Sequence, residues 1–131
     1  MKEEVVMFKS IKLEISAFIE STEVKIWEKD GKLHFSKDQI GHGMEHIEDE
    51  VSSISVEVFS KKLEALDISG WKKSYQPVGV VVMDGSSWTI KYESDSEKPV
   101  KRSGENAYPR NWKSFIKLVQ SIVGDFETFE D

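Results

Sequence analysis

Cysteine is absent from the 131 residues, which removes disulfides, thiolate metal sites and a cysteine nucleophile together and leaves the fold to packing and hydrogen bonds. A reducing cytoplasm is the compartment that fits. No run approaches the roughly 18 consecutive apolar residues that a membrane span requires. Met1 to Val6 carry Lys2, Glu3 and Glu4, and the apolar stretch is soon broken by Lys9 and Lys12, which is not the pattern of a signal peptide. Histidine is confined to positions 34, 42 and 46. Ser86 and Ser87 therefore have no histidine in their half of the chain and no Gly-x-Ser-x-Gly elbow, so serine-hydrolase chemistry is not expected. Glycine-rich phosphate loops are missing too. The many carboxylate pairs read as a solvated face. The expectation is a soluble, non-enzymatic domain without a cofactor.

Charge is acidic overall and uneven. The net charge is −6, and residues 1–70 supply all of it, with 15 acidic against 9 basic side chains. Residues 71–124 are mildly positive, with 9 basic against 5 acidic side chains, before a short acidic tail over 125–131 that reads as a candidate flexible segment. The balance is not the strongly basic one of nucleic-acid binders, and nucleic acid is not the expected partner.

The length suits one domain with its own core. Ile11, Leu13 and Ile15 alternate with polar residues, predicting a strand near 9–19. Val24 and Ile26, then Leu33 and Phe35, flank Asp30-Gly31, predicting a hairpin over 22–36. From Asp38 to Ser53 the apolar period vanishes, and the segment reads as an exposed connection. Ser55 can cap a helix near 55–67 that buries Val56, Phe59, Leu63 and Leu66, with Ser69-Gly70 stopping it. Val78 to Met83, Asp84-Gly85 and the alternating Trp88, Ile90 and Tyr92 predict a second hairpin. An edge strand follows near 100–104, with Val100 inward and Lys101 and Arg102 discouraging further pairing. A closing helix near 109–123 starts at Pro109, buries Trp112, Phe115, Ile116, Val119 and Val123, and ends at Gly124. The sum is an α+β fold, roughly βββα-βββα: an antiparallel sheet of about five to six strands with both helices on one face.

Three motifs stand in order in residues 55–124, about half of the chain: Trp71-Lys72-Lys73-Ser74-Tyr75, Asp84-Gly85-Ser86-Ser87-Trp88 and Gly104-Glu105-Asn106-Ala107-Tyr108-Pro109. The pattern resembles a group of small bacterial proteins of uncharacterised activity that carry W-K-x-x-Y, D-G-x-x-W and G-x-N-A-Y-P. The last motif is the most specific. The resemblance implies a shared α+β module and no chemistry, and it leaves residues 1–50 unmatched.

Four groups of residues are candidates for function. His42 and His46 would share one face of a helix, with Glu45, Glu48, Asp49 and Glu50 near, a spacing that suits a divalent metal. Gly41 and Gly43 oppose a helix there, so an exposed polar loop is favoured. Asn106, Tyr108 and Arg110 could form an anion-binding loop ahead of a helix N-terminus, against the plainer reading of a strand-to-helix connection. Trp71 and Tyr75 are the best placed for exposure among aromatic residues that otherwise face the core. Glu48, Asp49 and Glu50 could hold a basic partner. The leading expectation is a module that binds and neutralises one protein, as bacterial toxin-immunity proteins do. The alternative is a small-ligand or anion-binding domain using the loop from Asn106 to Pro109.

Overall fold

The alternation of Ile11, Leu13 and Ile15 with polar residues produces strand β1, Phe8–Ala17. Here the computed structural model describes residues 8–41, 43–76, 85–95 and 98–128. A bulge between Phe8 and Ser10 turns Phe8 onto the same buried face as Ile11 and leaves Lys9 exposed. Strands β2, Glu20–Lys29, and β3, Lys32–Ile40, follow as a hairpin on the expected Asp30-Gly31 turn. Asp30 and Gly31 have φ of 54° and 78°, the left-handed pair that a two-residue turn of this hand demands.

Residues 38–53, which by their lack of apolar period read as a connection, instead complete β3 and form a further strand, β4, Met44–Val51. This corrects the sequence reading, and the reason is position. β4 is the sheet's edge, and every residue of it except Val51 is exposed, so no apolar alternation is required of it. Its acids discourage another strand from adding to that edge.

Helix α1, Val56–Leu66, begins as expected, with the Ser55 hydroxyl oxygen accepting the Val58 N–H at 3.2 Å. It ends at Asp67, whose φ is 52°, and a single turn of tighter helix over Ile68–Gly70 follows. The stop thus comes before Ser69-Gly70. Strands β5, Ser74–Tyr75, β6, Ser86–Ser94, and β7, Val100–Glu105, build the other side of the sheet. The strand expected over Val78 to Met83, and Asp84 of its turn, lie outside the described residues.

Helix α2, Trp112–Val123, starts later than a proline-first helix would. Pro109 is buried in the turn before it, and its carbonyl accepts the Trp112 N–H at 3.1 Å. Asn111 occupies the cap position and spends its side-chain amide on the Leu66 carbonyl, 2.8 Å away, which ties the start of α2 to the end of α1. The stripe of Trp112, Phe115, Ile116, Val119 and Val123 is buried, and Gly124 closes the helix at φ 84°.

The seven strands lie in the order β4-β3-β2-β1-β6-β7-β5, antiparallel except for β5 against β7. Both helices cover one face, on a core that runs from Phe8 and Phe59 to Trp88 and Trp112. On that covered face three polar residues of β2 and β3 hold the chain after α2. Lys37 donates its ammonium to the Asp125 carbonyl at 2.8 Å, Thr22 donates its hydroxyl to the Glu127 carbonyl at 3.0 Å, and Gln39 accepts the Glu127 N–H at 3.2 Å. The other face of the sheet carries no layer from the described residues. Among those residues no helix is long and apolar enough to cross a membrane.

Candidate functional site

The loop from Gly104 to Asn111 is locked by its own polar groups. Asn106 adopts φ 53°, accepts the Ser86 N–H on Oδ1 at 2.9 Å and donates its backbone N–H to the Ser86 carbonyl at 2.9 Å. The Tyr108 hydroxyl shares a 2.6 Å hydrogen bond with that of Ser86, and the ring lies on Trp112 with centroids 5.3 Å apart. The Trp88 indole N–H donates to the Ala107 carbonyl at 3.0 Å. These bonds engage Asn106 Oδ1, the Asn106 backbone N–H and the Tyr108 hydroxyl within the fold, and Arg110 alone of the three candidates is exposed.

Trp71 and Tyr75 belong to the same aromatic core. Trp71 is buried, in edge contact with Trp88 and Phe115 at centroid distances of 6.2 and 5.7 Å, which corrects its placement among the exposable rings. Its carbonyl accepts the Arg102 Nε–H at 3.0 Å. Tyr75 is half-buried against Trp88, and its hydroxyl accepts the Lys72 N–H at 3.0 Å. The W-K-x-x-Y spacing is therefore a packing device: a ring at each end closes the turn that leads into β5.

His42 lies outside the described residues. His46 is on β4, directly opposite Asp38 of β3, and its Nδ1 pairs with the Asp38 carboxylate. That hydrogen bond raises the His46 pKa above its ordinary 6.5, with the charge of Asp38 and then that of Glu48 adding to the effect against a small desolvation cost. On a strand His46 and Glu45 point to opposite faces, so the helical clustering that suits a metal does not arise. Among the described residues no group of three or more histidine, aspartate or glutamate side chains converges on a metal-sized site.

Glu48, Asp49 and Glu50 are all exposed on the β4 edge, with Glu48 and Glu50 on the open face and Asp49 on the helix side. Glu50 meets Lys32 at 3.7 Å and His34 at 4.0 Å.

Phe18, Ile19, Ile40 and Met44 carry no turn or motif signature, and they come together at one end of the sheet. Phe18 and Ile19 are the two-residue turn between β1 and β2, where Ala17 pairs with Glu20. Phe18 has φ 40° and is 91% exposed, and Ile19 is 66% exposed. Gly or Asn ordinarily occupies such a turn, because a bulky side chain is strained at positive φ. Ile40 and Met44, directly paired at the neighbouring β3-β4 turn, are 49% and 82% exposed. Beside them a depression of about 410 Å³ opens between apolar Ile40 and Met44 and the acids Glu20, Glu45 and Glu127. The sequence signal was the bare Phe18-Ile19 pair between two alternating segments, which reads more easily as the continuation of a strand.

No family model, curated protein or solved structure matches this chain.

Proposed function

We propose that this protein is a non-enzymatic cytoplasmic module that binds and neutralises a basic protein partner, docking it at the apolar, acid-rimmed end of the sheet. The observation that carries the reading is Phe18: an aromatic side chain held at φ 40° and left 91% exposed adds nothing to the core and strains the turn. Exposed aromatic side chains are enriched among the anchors of protein interfaces. The neighbouring depression pairs apolar walls from Ile40 and Met44 with three carboxylates, a combination that suits the stem and charge of a partner's lysine or arginine. Glu48 and Glu50, further along β4, extend the negative field that would steer such a partner.

The test is capture from native lysate at low salt by the wild-type chain, Phe18→Ser and Glu48→Lys/Glu50→Lys, followed by titration of the retained protein. One stoichiometric basic protein is expected, bound about thirtyfold more weakly by Phe18→Ser, as for loss of an interface anchor. The charge reversal should weaken binding and flatten its salt dependence. A partner retained equally by all three chains would refute this docking surface.

A further inference from the structure

The register of the open face aligns four lysines in one transverse row. Lys25 of β2 is opposite Lys12 of β1, Lys12 is opposite Lys91 of β6, and Lys91 is opposite Lys101 of β7. Directly opposed like charges destabilise a sheet, and this one places them three times in succession. The row is neutralised from one end. Lys25 and Lys12 have Glu23 at 3.4 and 3.8 Å, and Lys12 also has Glu14 at 2.8 Å. Lys91 has Glu93 at 3.4 Å. Lys101 has no carboxylate partner among the described residues, and neither does Lys73, which reaches the same place from the loop before β5.

Lys73 and Lys101 line a depression of about 350 Å³ together with the carboxylate-paired Lys12 and Lys91, the hydroxyl residues Thr89 and Ser103, and a single carboxylate, Glu14. Thr89 and Ser103 are direct cross-strand partners, and the Ser103 N–H donates to the Lys73 carbonyl at 3.1 Å, which fixes the loop above them. Arg102, directly opposite Ile90, alternates to the covered face and leaves its charge out of the row. Its guanidinium donates to the carbonyls of Trp71, Ser69 and Lys101 at 3.0, 2.8 and 2.7 Å and meets no carboxylate among the described residues.

We propose that this depression is a binding site for a compact ligand bearing two or more phosphate groups. The volume lies at the small-molecule end of ligand pockets. Ammonium groups at several angles and hydroxyl donors on the floor match the many acceptor oxygens of a polyphosphate. Length argues against a nucleic-acid strand. The row spans three strand spacings, about 14 Å, and a longer polyanion would run toward the acids of β3 and β4 on a chain of net charge −6. The proposal is independent of the partner-docking reading, which uses the β1-β2 and β3-β4 turns and none of these lysines.

The test is calorimetric titration and thermal unfolding of the full chain at low salt with inorganic tripolyphosphate, using Lys91→Gln/Lys101→Gln, the loop variant Lys73→Gln, and Lys32→Gln as a control away from the row. Wild type and Lys32→Gln should bind equally and melt higher with the ligand. The double variant should bind about tenfold more weakly, and Lys73→Gln about threefold. Without ligand the double variant should melt no lower than wild type, since it relieves opposed charges. Failure of tripolyphosphate to bind, or equal binding by all variants, would overturn the site, as would a long single-stranded oligonucleotide that binds more tightly than tripolyphosphate.

Discussion

Asn106 and Ser86 are joined twice, by the Asn106 backbone N–H on the Ser86 carbonyl and by the Ser86 N–H on Asn106 Oδ1, each at 2.9 Å. The second bond needs a side-chain oxygen acceptor at this reach, and the φ of 53° at Asn106 needs a residue that tolerates left-handed backbone. Asn106→Ala loses both and should cost about 2 kcal/mol in denaturant unfolding. Asn106→Gly loses the hydrogen bond alone and should cost about half as much. Equal losses would mean that the backbone conformation contributes nothing.

Gly104 sits beneath the Trp88 indole, and a Cβ there would fall 2.4 Å from Trp88 Nε1 and 2.6 Å from the Ala107 carbonyl oxygen. Both atoms belong to one hydrogen bond in the core, so neither can move without breaking it. Gly104→Ala should destabilise the fold by about 3 kcal/mol and shift the near-ultraviolet circular dichroism of the tryptophan cluster. A melting temperature within a degree or two of wild type would show that the core can relax around the methyl group.

Phe18 should behave in the opposite way. Phe18→Gly removes the side chain from a turn at φ 40° and should raise stability by about 1 kcal/mol by the same denaturant measurement. A loss of stability instead would show that the ring contributes to the fold, and the case for an interface anchor would weaken.

The His46-Asp38 pair gives the edge strand a pH dependence. Because the folded-state pKa of His46 is raised above 6.5, its contribution is full below that pH and is lost as pH rises through the higher folded value. The protection factors of the β4 amides, which divide out the base-catalysed intrinsic rate, should therefore fall across that window. Titration of the His46 ring by NMR should give a midpoint above 6.5 in the wild type, and Asp38→Asn should lower it. An unchanged midpoint in that variant would remove Asp38 as the cause.

Local chemistry was legible in the chain itself. The Asp30-Gly31 turn, the Ser55 cap, the Gly124 stop and the two helical stripes each depend on residues a few positions apart, and all appear in the structure. The α+β class followed from them. The position of β4 was not legible, because an edge strand with nearly every side chain in water shows no apolar alternation. Trp71 was misplaced for a related reason: a ring at a turn has no periodic neighbours to declare its face.

The sequence by itself determined the two helices, the Asp30-Gly31 hairpin and the acidic excess of the first half. Only the tertiary structure decided which charges and rings are neighbours. Lys12 meets Lys91, and Ile40 meets Met44 beside Glu20 and Glu127, through strand registers and packing between distant segments. Those contacts are set by hydrogen-bond ladders and the burial of the opposite face, which no local pattern encodes.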